Sequence, residues 1–177
     1  MLELDHPIFV CDCGVAAGAA AELDGLETAI LKVARSIFET LEDPEKQCWM
    51  TAFLDAERAF PPPLGATVAH AIVVAIRAVA SERLRNFSYV RATDPAAGDS
   101  FTDEERYFLF ALRAVRTQDR PAARMNALML CEGGDRAPLL AALERIVMIV
   151  DGVEEPLWQK AACCLQRVYE NTFRGIS

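Results

Sequence analysis

The sequence predicts an all-α fold, a single-domain bundle of about seven helices with a short extended arm at its N-terminus. Three observations predict it. Alanine, the strongest helix former, occurs 29 times. Apolar residues recur at three- and four-residue spacing through most of the chain. Asp, Thr and Pro stand in front of these runs, and Gly or Pro behind several of them, as helix starts and stops require. At 177 residues and 53 % hydrophobic content, one domain with an ample core is the default.

Residues 1–18 form the arm. Pro7 biases its neighbour away from helix, and Gly14 and Gly18 break it. Ile8, Phe9 and Val10 are expected to anchor this arm on the helical body, because exposed apolar chain is unfavourable in water. A first three-helix unit spans residues 21–86. Leu23, Leu26, Ile30, Val33, Ile37 and Leu41 give its first helix a 3.6-residue stripe over residues 21–41. Asp43 is read as the cap of a second helix with Pro44 at its start, carrying Trp49, Phe53, Leu54 and Phe60 and stopped by Pro61–Pro63. A third, nearly all apolar, runs over residues 64–84.

Residues 87–101 contain Pro95 and Gly98 and read as a loop. A second three-helix unit spans residues 102–151. Thr102 and Glu105 have the spacing of a capping box, in which each side chain bonds the other's backbone N–H. Asp103, Glu104 and Glu105 add negative charge at the positive end of the helix dipole. Asp119 caps the next helix, Pro121 lies in its first turn, and Gly133 and Gly134 close it. Asp135 and Pro138 start a helix whose middle holds only Glu144 and Arg145 as charges. Glu155–Pro156 opens a C-terminal helix over residues 155–174, bearing Leu157, Trp158, Leu165, Val168 and Phe173.

The two units align as a pseudo-repeat. Pro44 falls on Pro121 and Ala34 on Ala111 at an offset of 77, and Pro63-Leu64 falls on Pro138-Leu139 at 75.

Net charge is −8, which argues against a broad nucleic-acid footprint. A helix-turn-helix over residues 119–150 would be the form of a DNA-binding regulator, but its second helix carries only Arg136 and Arg145 as bases. Asp12 interrupts the first apolar run and no basic region precedes it, which predicts no signal peptide. His70 and Arg77 interrupt residues 64–80, which are short for a membrane span. The expectation is a cytoplasmic protein that engages neither membrane nor nucleic acid.

Six cysteines show no disulfide framework. His6, Cys11, Cys13, Cys163 and Cys164 are the ligand-type residues, but neither cysteine pair has the two-to-four-residue gap of a structural zinc site. Neither a metal nor a cofactor is expected. No phosphate loop, nucleophile elbow or zinc-protease motif occurs, so an enzyme is disfavoured. The leading expectation is a protein–protein interaction module, a homodimer or an adaptor, because helices three and six are apolar nearly all round and Trp49, Phe53, Phe60, Phe87, Tyr89, Trp158 and Phe173 exceed one small core. The alternative is an enzyme or small-ligand protein with a pocket between the units, lined by His70, Arg77 and Arg145.

Overall fold

The structure, a computed structural model, describes residues 9–11, 23–92 and 100–152. The chain is mostly helical, and the described residues form six helices and two short strands. In order these are β1 (Phe9–Cys11), α1 (Gly25–Glu42), α2 (Cys48–Ala59), α3 (Leu64–Glu82), β2 (Phe87–Tyr89), α4 (Asp103–Arg116), α5 (Arg120–Leu130) and α6 (Ala137–Asp151). The expected C-terminal helix over residues 155–174 lies outside the described residues, as does most of the arm.

Each half repeats the order strand, helix, helix, helix, and the halves meet through equivalent elements. β1 and β2 pair in parallel with Phe9 opposite Phe87, Val10 opposite Ser88 and Cys11 opposite Tyr89, each pair 78 residues apart. α3 packs most extensively on α6, and α1 touches α4, while α2 lies outside on α1 and α3 and α5 lies outside on α4. In the helical contacts each half offers the same elements to the other, a pseudo-two-fold relation that the parallel strands, with Phe9 and Phe87 both on Phe38, do not follow.

The strand Phe87–Tyr89 corrects the expectation of a loop from residue 87. Three residues carry too little periodicity to read, and their pairing partner is far away in sequence. Phe9 is buried and stacks on Phe38 at 5.1 Å between ring centroids, and Phe38 meets Phe87 at 4.7 Å. Val10 is half-buried, and Ile8 lies outside the described residues.

The register of the repeat also differs from the proline alignment. Across β1/β2 and the starts of α1/α4 the offset is 78, not 77. Pro44 and Pro121 are not equivalent: Pro44 opens a 3₁₀ turn, Pro44–Lys46, and α2 begins only after Gln47, which is left-handed at φ 53°. The buried pairs Ala52/Ala56 and Ala123/Ala127 place α2 on α5 at an offset of 71. α1 is longer than α4 by about one turn, and with the 3₁₀ turn it absorbs the difference.

Packing explains the glycine at the start of α3. A Cβ on Gly65 would lie 2.7 Å from the Glu57 Cα, so α2 and α3 approach at backbone distance there. α3 is long and apolar enough by length and composition to cross a membrane, but half of its most apolar stretch is buried in the fold. Val68, Ile72, Ile76 and Val79 form that buried side, facing a core that includes Leu139, Leu143 and Ile146 of α6.

Candidate functional site

The polar interior is built from two capping boxes. At α4, Glu105 N–H donates to Thr102 Oγ1 at 3.1 Å and Thr102 N–H to Glu105 Oε2 at 3.0 Å. At α1, Glu27 N–H donates to Asp24 Oδ1 at 2.8 Å and Asp24 N–H to Glu27 Oε2 at 3.1 Å. Each box glutamate then binds an arginine of the other half. Arg35 of α1 donates from Nε and Nη2 to the two Glu105 oxygens at 2.8 and 3.0 Å. Arg113 of α4 donates in the same two-pronged way to Glu27 at 2.6 and 2.5 Å. Glu27 and Glu105 are 78 residues apart, as are Arg35 and Arg113, so these ion pairs are one contact made twice across the pseudo-two-fold.

The two copies differ in burial. Arg35 and Glu105 side chains are 4 % and 0 % exposed; Ser100 O also accepts from Arg35, and Val90 N–H also donates to Glu105. Arg113 is 37 % exposed and sits in an open cleft of about 650 Å³ lined by Asp24, Glu27, Arg113, Arg116, Thr117 and Asp151. Arg116 bridges Asp24 at 2.7 Å and Asp151 at 3.2 Å. Partial burial opposes ionisation of Asp24, but the Glu27 N–H and the Arg116 guanidinium outweigh it and lower its pKa. The charges of this cleft are satisfied by one another. They fasten the starts of α1 and the ends of α4 and α6 together.

A second polar cluster lies where the paired strands end. Tyr89 Oη donates to Glu42 Oε2 at 2.6 Å, Cys11 N–H donates to Glu42 Oε1 at 3.3 Å, and Arg91 Nη2 reaches Glu42 at 3.3 Å. Burial pushes the Tyr89 hydroxyl far up, and the adjoining Glu42 carboxylate adds to that. Burial also opposes Glu42 ionisation, yet the Tyr89, Cys11 and Arg91 donors together lower its pKa. Nearby, Ala92 N–H and the Cys48 thiol donate to Glu39 at 2.8 and 3.6 Å. Burial and then the Glu39 charge raise the Cys48 pKa, so this thiol is held protonated.

The residues expected to line a pocket are all exposed: His70 and Arg77 on α3, and Arg145 on α6. None of them lines the cleft between the starts of α1 and the ends of α4 and α6. Among the potential metal ligands only Cys11 is described, and His6, Cys13, Cys163 and Cys164 lie outside the described residues. Cys131 is fully buried in the core and Cys48 is half-buried. α5 rests mainly on α4 and α6 mainly on α3, with a smaller contact between α5 and α6.

What stands out on the surface is apolar. α2 keeps Trp49, Met50 and Leu54 about half exposed, with Phe53 half-buried edge-on to Trp49 at 6.4 Å. Leu41, at the end of α1, is 40 % exposed. On α5, Met125 and Met129 are 60 % and 48 % exposed. The size of the residues on the buried side of α2 explains why these side chains are left out. Its buried side is carried by short residues, Ala52, Asp55 and Ala56, so the helix sits close and its larger residues flank the contact. Of the aromatic residues expected to exceed the core, Phe60, Phe87 and Tyr89 are buried in it, Trp158 and Phe173 lie outside the described residues, and Trp49 and Phe53 reach the surface.

Compared with protein-family models, with curated proteins and with solved structures, the chain matches none.

Proposed function

We propose that this chain is a helical protein–protein interaction module that works by docking, not catalysis, and that the outward face of α2 is its docking surface. The observation that supports this most is Trp49. A tryptophan half exposed on a helix, flanked by half-exposed Met50 and Leu54 and braced by Phe53, is the composition of an interface centre. Burying the remaining surface of these three side chains contributes roughly 1 kcal/mol each, half of the full-burial value. The scaffold beneath suits the role. The two reciprocal ion pairs and the α3–α6 contact hold the halves in one arrangement, so α2 is presented on a firm support.

Site-specific photo-crosslinking in cells tests the reading. A photoreactive residue at Met50 is expected to yield a defined adduct, while the same residue at exposed Arg77 of α3 yields none. Equal labelling from both positions, or none from Met50, refutes it.

A further inference from the structure

The outer helices α2 and α5 hold equivalent places in the two halves, and their outward faces differ where α2 carries aromatic side chains and α5 carries arginines. With about 100° per residue, Trp49, Phe53, Glu57, Met50 and Leu54 fall in one sector of about 140° on α2. At the offset of 71 set by the buried alanines, the same sector of α5 carries Arg120 where α2 has Trp49, Arg124 where it has Phe53, and Met125 where it has Leu54. α5 contains no acidic residue, in a chain of net charge −8. Among the described residues Arg120 and Arg124 make no ion pair or hydrogen bond through their side chains, and neither does Glu57. Both arginines and Glu57 are exposed.

Building on the docking role of α2, we propose that its partner is a second copy of this chain, which lays the Arg120–Arg124–Met125 face of α5 on the Trp49–Phe53–Glu57 face of α2. Three features support that occupant. Guanidinium groups stack on aromatic faces, best of all on Trp. Glu57 supplies the counter-charge one turn beyond the aromatic pair, at the C-terminal end of the stripe. Met125 and Met129 are unbranched and adapt to irregular apolar relief, which suits contact with Met50 and Leu54. A two-fold dimer makes this contact twice, since each copy offers both faces.

Light scattering and sedimentation of the full chain at 1–100 µM, an interval spanning ordinary interface affinities, test the proposal. The expected wild-type mass rises to twice 19.5 kDa, with association weakening in 0.5 M salt. Trp49→Ala/Leu54→Asp and Arg120→Glu/Arg124→Glu are each expected to be monomeric with unchanged circular dichroism, the four residues being exposed or half exposed. Mixing the two variants restores one intact α5 and one intact α2, so a heterodimer is expected at least tenfold weaker than the wild-type dimer. Should either variant fold poorly, Arg124→Gln alone is expected to raise the dissociation constant several-fold. A wild-type chain that stays monomeric overturns the second-copy proposal. A dimer that survives Arg120→Glu/Arg124→Glu does so too. A Met50 adduct with a different protein, beside a monomeric chain, refutes self-docking and leaves α2 as a docking face; no adduct at all removes that reading as well.

Discussion

Replacing Glu105 by Ala and replacing Glu27 by Ala remove the same atom set from equivalent positions, yet the two changes should differ sharply in cost. Each deletes the glutamate that closes a capping box, worth about 1 kcal/mol. Glu105→Ala also removes the carboxylate that neutralises Arg35, whose side chain is 4 % exposed, and leaves Val90 N–H without its acceptor. Breaking a buried ion pair from one side costs about 3–5 kcal/mol, so about 4 kcal/mol is expected here. Glu27→Ala strands Arg113, which is 37 % exposed and turns to water. Screening reduces that loss to about 1–2 kcal/mol in total. In urea, with a slope of about 2 kcal/mol/M, the unfolding midpoint should fall by about 2 M for Glu105→Ala and by under about 1 M for Glu27→Ala. Raising the salt to 1 M should shrink the Glu27 effect and leave the Glu105 effect nearly unchanged. Two midpoints lying within about 0.3 M of each other would refute the reasoning, since burial would then not decide the energy of the pair.

Gly65→Ala should destabilise the fold by about 1–3 kcal/mol even though Ala favours helix, because its Cβ would meet the backbone of Glu57 and Ala56 at 2.7–2.9 Å; thermal melting with a stabilising or neutral outcome would show that α2 yields at no cost. Tyr89→Phe removes the 2.6 Å bond to Glu42 and should cost about 1.5–3 kcal/mol at pH 7, as measured by chemical denaturation; a loss below 0.5 kcal/mol would mean Arg91 and the Cys11 amide suffice for Glu42. Acid should destabilise the chain through Glu42 and Asp24. Both carboxyl pKa values are lower folded than unfolded, so their contribution is complete above the ordinary carboxylate range near 4 and is lost as pH falls through the lower folded values. Melting temperature followed from pH 7 to pH 2 should decline below about pH 4, and the decline should be smaller in Tyr89→Phe, whose Glu42 is less depressed.

Local chemistry was enough to place most helix signals; the exception is Asp43, whose side chain makes no cap hydrogen bond and which precedes a 3₁₀ turn instead of α2. Thr102 and Glu105 form the capping box that their spacing required, Asp119 bonds the Ala122 N–H at 3.0 Å, and Gly133 takes φ 88° behind α5. Asp24 and Glu27 carry the same signature and could have been read equally well. Asp135 does bond a first-turn amide, that of Ala137, but from one residue before the helix boundary. Such groups act within one turn, so the order of residues decides them. The apolar stripes were legible for the same reason and picked out the core side of α1 and α4, whereas α3 and α6 are apolar nearly all round and their buried sides needed the packing.

Tertiary structure decided everything that joins distant residues. Periodicity places Glu105 on a buried stripe beside a cap; that its charge is met by Arg35, 70 positions earlier, and that Arg113 repays the contact to Glu27 follows only from how α1 and α4 cross. β2 exists because Phe9–Cys11 lies alongside it, since a three-residue strand has no stability of its own. His70 and Arg77 share a stripe on α3 by spacing alone, but the docking of α2 and α6 turned that stripe outward to water. Conversely, small buried alanines on α2 let it settle close to α1 and α3 and left Trp49 outside, a result of volume and approach distance that a linear pattern does not contain.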